Sequence, residues 1–361
     1  MNVVASLILS AWLSDHMVMP ANRPVPLSGR AAPGAVITVE FANQEKTCVA
    51  DDSGLWTVTL DSMNASTESR KLTASSSIGN QQAIIDDVLV GDIWVCAGQS
   101  NMQRTMAMTD EATEAAKDIK TVEVRCFNGR SWTKVTAGNV DKMSAVAVWF
   151  STEMARKQSA PVGIYVAAVG GTGIEAWVPV DAFPDTDDGN RFKPLVGNPE
   201  VLKAAAEDAA DSKPYGQHRL ARWGLGRAVP ASLFEKFILP FGNLPVRGAV
   251  WYQGESNAGT VERAQAYRLW LQNLISAYRT LWGNPSMPFV IIQLPAYDSG
   301  SDEARAGWAA LQDVQSAVAK NTPNAAIVEI KDLGDLKDIH PRRKKEVGVR
   351  AAAAACKLLG K

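Results

Sequence analysis

The sequence has few histidines and almost no net charge. The first shortage limits the metal sites that it could form, and the second limits the partners that it could bind. It contains only three histidines among 361 residues, namely His16, His218 and His340, and it has no HExxH pattern, so a catalytic zinc site on a helix is not expected. The 37 Lys and Arg residues nearly balance the 38 Asp and Glu residues, which leaves a formal charge of -1. Without a basic excess, nucleic acid is not an expected partner.

Paired cysteines and long apolar runs are also missing. Four scattered cysteines with no CxxC pair argue against a structural zinc site and against a small disulfide-stapled fold. No apolar run is long enough to span a membrane. Residues 1–9 lack the basic region of a signal peptide, and we predict a first strand there; a leader removed from this sequence is the alternative.

Residues 1–88 are typical of a small antiparallel β-sandwich domain. Short runs rich in β-branched residues alternate with turn signals, and no long amphipathic helix interrupts them. The runs that best predict strands are residues 36–41, 55–60, 71–74 and 83–85.

Residues 89–361 are typical of a second domain, in which strands alternate with helices. Predicted strands are 92–97, 122–127, 162–169, 248–252, 289–294 and 325–330. Predicted helices are 144–158, 262–282, 302–320 and 342–359, and residues 179–223 are predicted to form a long loop or cap with one helix at 200–211. This alternation favours a parallel sheet covered on both faces, whose ligands bind at the carboxyl ends of the strands.

Two strand-end loops could supply a nucleophile and backbone donors. Ser100, in the segment GQSNM at 98–102, follows a buried strand at a tight turn into a helix, although a serine there could also be only a helix cap. The glycine-rich segment GGTGIEAW at 170–177 lacks the Lys-Ser/Thr of a phosphate loop. It could instead bring a backbone N–H close to a substrate oxygen.

Two further strand-end loops carry a neutral donor and a base. Asn257 ends the segment QGESN at 253–257, where its amide could donate to an oxyanion or simply form a turn. His340 follows the last predicted strand and has acids nearby. A serine nucleophile needs a base, and His340 is the only histidine that follows a strand of the predicted parallel sheet.

Together these loops resemble the SGNH hydrolase superfamily, and within it the branch of sialate O-acetylesterases and carbohydrate acetylesterases. The resemblance rests on segments 98–102, 170–177, 251–257 and 338–341, and the opening 13–19 resembles the start of the β domain that precedes the hydrolase domain in this branch. It implies a flavodoxin-like three-layer α/β/α hydrolase domain. It also implies ester hydrolysis through an acyl-enzyme without a metal or organic cofactor. The resemblance implies a periplasmic or secreted protein, and a cytoplasmic one is the alternative because no signal peptide is visible in this sequence.

Residue roles follow from the same resemblance. Ser100 is expected to be the nucleophile and His340 the base. The oxyanion hole is expected to combine the N–H groups of Ser100 and Gly171, or of Gly170 in place of Gly171, with the Asn257 amide. The reference pKa of histidine, about 6.5, suits a base that works near neutral pH.

The acid that supports His340 is chosen among three carboxylates. The wider superfamily places Asp three residues before the histidine, where this chain has Lys337. The acetylesterase branch places it two residues before, which favours Asp338. Glu255 and Asp335 are the alternatives.

The predicted function is removal of acetyl groups from an acetylated sugar or oligosaccharide. A xylan or other polysaccharide deacetylase is the alternative among enzymes, and a non-catalytic carbohydrate-binding protein is the alternative from another class. The residues predicted to contact substrate are Gln99, Trp177, Gln253 and Glu255, with the indole of Trp177 as a wall of the pocket.

Overall fold

The computed structural model describes residues 6–211 and 217–360, and its strands form one sheet of eleven strands and one of three. The fold is mixed α/β. The strands are β1 Ile8–Leu9, β2 Val18–Pro20, β3 Val25–Arg30, β4 Val36–Phe41, β5 Gln44–Val49, β6 Leu55–Leu60, β7 Ser66–Ser76, β8 Gln81–Gly98, β9 Val124–Phe127, β10 Trp132–Lys134, β11 Val162–Ala168, β12 Gly248–Tyr252, β13 Phe289–Ile292 and β14 Ala325–Val328.

The helices cluster after β8, as the alternating pattern predicts. They are α1 Ser100–Gln103, α2 Ala112–Asp118, α3 Ala145–Gln158, α4 Asp187–Phe192, α5 Pro199–Asp211, α6 Val261–Leu281, α7 Asp302–Asn321 and α8 Lys344–Leu358. Between β11 and β12 lie short 3-10 turns, one π turn and two helices, α4 and α5. The segment 179–223 was predicted to contain one helix at 200–211, which corresponds to α5, whereas α4 was not predicted. None of the helices in the described part of the chain is long and apolar enough to cross a membrane.

The large sheet is parallel around its centre. Its order is β10-β9-β11-β8-β12-β13-β14, and every neighbouring pair except β10 and β9 is parallel. Side chains alternate along β8, so that Trp94 and Cys96 share a core with α3 and α8, whereas Ile93 and Val95 share one with α6 and α7. A strand covered on both faces must be apolar throughout, which explains the unbroken hydrophobic run.

Four of the first seven strands join the large sheet through β8, and one of them, β2, pairs with it directly in parallel. Strands β1, β3 and β6 form the small sheet, while β5, β4 and β7 reach the amino-terminal half of β8 through antiparallel pairs. Burial alternates along β4 and β6, as in strands with one face on a core and one in solvent. The predicted domain border at residues 88 and 89 falls inside β8, so no linker separates the two parts.

Two smaller predictions concern the first strand and the cysteines. The predicted first strand lies partly outside them, at residues 1–5, and within them begins only at Ile8. Among the described residues, Cys48, Cys96 and Cys126 are free thiols, so none of the four cysteines can be joined to another by a disulfide.

Candidate active site

Ser100 lies where the central strand turns into a helix. β8 ends at Gly98, whose φ of 146° is one that side chains rarely allow. A Cβ on Gly98 would lie 2.0 Å from the Tyr252 carbonyl oxygen, so only glycine lets β8 end this close to β12. Ser100 begins α1, so its own N–H has no acceptor within that helix.

His340 contacts the Ser100 hydroxyl. Its Nε2 lies 2.8 Å from Ser100 Oγ, which is within the reach of a general base. Burial lowers the pKa of His340, the charges of Arg104 and Lys344 lower it further, and Asp338 opposes them. The imidazole is therefore neutral near pH 7 and can accept a proton.

The other two histidines lie elsewhere. His16 Nδ1 pairs with Asp87 Oδ2 at 2.8 Å among the first strands, and His218 is buried in the cap. In the described ranges, no group of three or more His, Cys, Asp or Glu side chains is arranged to hold a metal ion. His340 is thus the histidine that the fold places beside Ser100.

Asp338 is the candidate acid that lies nearest to the imidazole. Its Oδ1 accepts the His340 backbone N–H at 2.8 Å and lies 3.9 Å from His340 Nδ1, which is longer than a hydrogen bond. Within the described residues, no other carboxylate lies within 4.0 Å of a His340 ring nitrogen. Glu255 instead accepts a hydrogen bond from Asn101 Nδ2 at 2.7 Å, and Asp335 accepts one from a backbone N–H of its own loop.

The glycine-rich loop lies against the nucleophile. A Cβ on Gly170 would lie 3.2 Å from Ser100 Cβ, which is a tight contact, so the loop backbone lies directly against the nucleophile. The Gly170 N–H donates to Gln103 Oε1 at 2.8 Å, whereas the Gly171 N–H has no acceptor among the described residues. Of the two candidates, Gly171 is therefore the one whose N–H is available to a substrate oxygen.

The Asn257 amide is held in one orientation. Its Oδ1 accepts hydrogen bonds from Ile174 N at 3.0 Å and Gln253 Nε2 at 2.8 Å, and its Nδ2 donates to Glu175 Oε2 at 3.1 Å. A flipped amide would face donors with its nitrogen and a carboxylate with its oxygen. The second N–H of Nδ2 is left to donate elsewhere.

Glu175 is a site residue that the sequence reasoning missed. Its side chain is almost fully buried, which is costly for a carboxylate unless donors or charges compensate. Arg263 Nη2 lies 3.7 Å from Glu175 Oε1 on the side away from Asn257. The available signal was an acid inside the otherwise apolar segment 170–177.

Trp177 is not a wall of the pocket, so that prediction is wrong. The indole has 0% exposure and packs between Phe237 and Trp251, with ring centroids 6.2 Å and 6.0 Å away. Its Nε1 donates to Thr172 Oγ1 at 3.1 Å. The indole follows the short 3-10 turn Ile174–Ala176 and is enclosed in the core, so it offers no surface to a substrate.

The other three predicted substrate contacts also hold loops together. Gln253 is fully buried and donates to the Thr172 carbonyl oxygen at 3.0 Å as well as to Asn257. The Gln99 side chain is buried against it. Glu255 is half-buried and holds Asn101. These residues connect the loops after β8, β11 and β12 and do not form an open binding surface.

Comparison with known proteins decides the family. Residues 90–197 and 216–357 match the family described as carbohydrate esterase, sialic acid-specific acetylesterase. The chain belongs to this family. It is 29% identical over 391 residues to a sialate O-acetylesterase of Mus musculus, covering 94% of this chain and 71% of that protein. It is 27% identical over 397 residues to one of Homo sapiens, covering 94% and 69%.

A solved acetylesterase has the same fold. The structure of a carbohydrate acetylesterase from Xanthomonas citri superposes with a TM-score of 0.81 at 28% identity, and it covers 98% of this chain and 76% of that one. The family predicted from the sequence is therefore confirmed. All four strand-end segments fall within the matched residues of the acetylesterase family, whereas the opening segment 13–19 lies before them.

Proposed function

We propose that this protein removes acetyl groups from the hydroxyls of acetylated carbohydrates through an acyl-enzyme on Ser100. The observation that carries the proposal is the 2.8 Å contact between His340 Nε2 and Ser100 Oγ, at the strand-end loops of a chain from an acetylesterase family. A serine hydroxyl is a weak nucleophile until a neighbouring base takes its proton. The lowered pKa of His340 keeps that base neutral at the pH where it must act.

The proposed reaction has two halves. His340 takes the Ser100 proton as Oγ attacks the acetyl carbonyl, and it then gives the proton to the departing sugar oxygen. Water attacks the acetyl-Ser100 ester with the same histidine as base, which releases acetate and restores the hydroxyl. Asp338 stabilises the imidazolium that forms in each half.

The negative charge on the carbonyl oxygen develops beside three N–H donors. We assign them to the backbone of Ser100, the backbone of Gly171 and the side chain of Asn257. The fixed orientation of the Asn257 amide supports this role, because donors that are already aligned cost no reorganisation during the reaction.

The finer architecture belongs to the same proposal. We assign residues 89–361 to a flavodoxin-like three-layer SGNH hydrolase domain and residues 1–88 to a small β-sandwich domain. Helices α3 and α8 on one face of the parallel strands, and α6 and α7 on the other, support the first assignment. The small sheet of β1, β3 and β6 and the antiparallel strands β4, β5 and β7, which all precede Val88, support the second. Export to the periplasm or the medium stays a prediction from the family resemblance.

The sugar is proposed from the names of the relatives. The mouse and human proteins are named sialate O-acetylesterases, so acetylated sialic acid is the first substrate to test. Acetate release should be measured on acetylated sialic acid, on acetylated xylo-oligosaccharide and on p-nitrophenyl esters of increasing chain length. We expect acetate from the sialic acid, and a kcat/KM that falls from the acetyl to the octanoyl ester.

The control is Ser100→Ala, which should release no acetate from any of these substrates. Release from xylan oligosaccharides alone would assign a polysaccharide deacetylase. A kcat/KM that rises with chain length, without acetate from either sugar, would assign a lipolytic enzyme. Sugar binding by a folded protein that hydrolyses none of the esters would assign a non-catalytic carbohydrate-binding protein.

A further inference from the structure

Lys344 is a fully buried lysine at the first position of α8. Lysines are rarely buried completely unless a partner compensates for the lost solvation. A cation at a helix amino terminus also opposes the helix dipole, so the charge does not serve the helix. The next residue, Lys345, is partly exposed and pairs with Glu114 at the surface. Helix formation and solvation therefore do not explain Lys344.

The Lys344 ammonium group contacts Asn101, the residue that follows the proposed nucleophile. Nζ donates to Asn101 Oδ1 at 2.5 Å and lies 5.5 Å from the centre of the Tyr252 ring, a distance at which a cation is attracted to the ring face. Burial lowers the pKa of Lys344 to about 7, and Glu255 is the strongest charge opposing that shift. The other charged groups that face it are Arg104, Asp338 and Glu111.

The Asn101 amide, which Lys344 holds, connects three of the four strand-end loops of the site. Asn101 Nδ2 donates to Glu255 Oε1 at 2.7 Å and to the Ile339 carbonyl oxygen at 3.0 Å. Asn101 directly follows Ser100, and Ile339 directly precedes His340. This one side chain therefore ties the residue beside the nucleophile to the residue beside the base.

We propose that Lys344 is a positioning residue that orients Asn101, and through it the contact between Ser100 and His340, while its charge disfavours a protonated His340. The inference rests on the roles proposed above for Ser100 and His340. The proposed role of Lys344 also gives Glu255 a function that differs from that of the triad acid. Glu255 is the counter-charge that makes a buried ammonium group tolerable, and it holds the opposite end of the same amide.

The proposed effect of the Lys344 charge on His340 predicts in which direction the pH dependence of kcat/KM changes when that charge is removed. The charged groups that face His340 are Arg104 and Lys344, which lower its pKa, and Asp338, which raises it. Removing the Lys344 charge must therefore raise the pKa of His340. Because the base acts in its neutral form, the acidic limb of the kcat/KM profile should move to higher pH.

The test compares Lys344→Met with Lys345→Met, a matched control at the surface. Profiles of kcat and KM against pH would be measured with p-nitrophenyl acetate, and rates would be normalised by active-site titration so that misfolded protein is not counted. For Lys344→Met we expect kcat to fall about tenfold to a hundredfold with KM nearly constant, as for a misplaced catalytic pair. The acidic limb should move up by about half a pH unit or more. Lys345→Met should change neither quantity.

A second variant keeps the test decisive if Lys344→Met does not fold. Lys344→Met combined with Glu255→Gln removes both opposite charges, so no unpaired charge is left buried. Because Glu255 is not among the charges that face His340, the upward shift of the acidic limb should persist in the double variant. The acidic limb of the double variant is then compared with that of wild type.

The inference would be overturned if Lys344→Met had the same normalised kcat and the same acidic limb of the kcat/KM profile as wild type. It would also be overturned if kcat fell but the acidic limb did not move, because that is the result expected of a purely structural role. Failure of the proposed function would look different. In that case Ser100→Ala would keep its activity, or the wild type would have none.

Discussion

The strand-end loops and the first strands bury opposite kinds of side chain. β4 and β6 bury apolar groups such as Ile37 and Trp56 on one face, and no charged side chain is buried along either strand. The loops after β8 and β12 bury Asn101 and Asn257, each with hydrogen bonds to more than one partner. Truncating an apolar side chain costs stability in proportion to the space left, whereas removing one partner of a buried polar pair leaves the other unsatisfied. Substitutions in the first region should therefore lower stability alone, whereas substitutions in the second should lower activity as well.

The largest effect on activity is expected for Ser100→Ala. The hydroxyl is the proposed attacking atom, so kcat should fall by at least about a thousandfold, as when a triad serine is removed. Thermal unfolding should stay near that of wild type, since the side chain is small and lies at a turn. Ser286→Ala, an exposed serine before β13 at the opposite edge of the sheet, is the control and should keep full activity. Turnover above a few per cent of wild type in Ser100→Ala would exclude this residue as nucleophile.

The second largest loss of activity is expected for Asn257→Ala. Loss of one oxyanion donor typically lowers kcat by about a hundredfold to a thousandfold. KM should change much less, because the contact strengthens only in the transition state. Steady-state kinetics with p-nitrophenyl acetate measure both constants. An unchanged kcat would make Asn257 a turn residue that merely joins two loops.

Asp338→Asn should have a smaller effect. At 3.9 Å from His340 Nδ1 the half-exposed carboxylate is not hydrogen-bonded to the ring, so we expect a loss in kcat of about a hundredfold, below the roughly 10⁴-fold of a fully hydrogen-bonded acid. Asp335→Asn is the matched control, an exposed acid in the same loop, and should lie within about twofold of wild type. If Asp338→Asn also retains wild-type kcat, the acid must be sought at Glu255.

Trp56→Ala should have the smallest effect on activity and a large one on stability. The indole is 2% exposed in the core of the first strands, and its removal should cost about 3–5 kcal/mol of unfolding free energy. Val49→Ala, at an exposed position of β5, should cost less than about 0.5 kcal/mol. Urea unfolding measures both values. A large loss of kcat per folded molecule in Trp56→Ala, well below its unfolding midpoint, would contradict the division between the two regions.

Regular elements were predictable where the local pattern is decisive. Strands β4, β6 and β12 have the predicted bounds, because alternation or an unbroken apolar run defines them. Helix α6 is shifted by one residue from its prediction and begins after the Thr260 cap. β5 was missed because it is half-exposed along its whole length, so its sequence QEKTCV carries little apolar signal.

The residues proposed to perform the chemistry were predictable from the sequence, whereas most of the residues that hold them in place were not. Ser100 and His340 each follow a strand of the parallel sheet, and such loops meet at one edge. Lys344 lies in the basic run of residues 342–345, and such a run predicts a solvent-exposed helix end. Its burial depends on Asn101 and Glu255, and only the tertiary fold brings them together. Trp177 was misjudged for the same reason, since adjacency in sequence does not set which way a ring points.

The unbroken course of β8 restricts how such a protein can change by recombination. An exchange of the first 88 residues would have to cut inside a strand, because the chain offers no joint between the parts. A single inserted residue at the crossover would also reverse the faces of the strand, turning Trp94 and Cys96 toward α6 and α7. Only insertions of an even number of residues would keep both cores intact. Any change in the first strands must therefore preserve the register of the strand that ends two residues before Ser100.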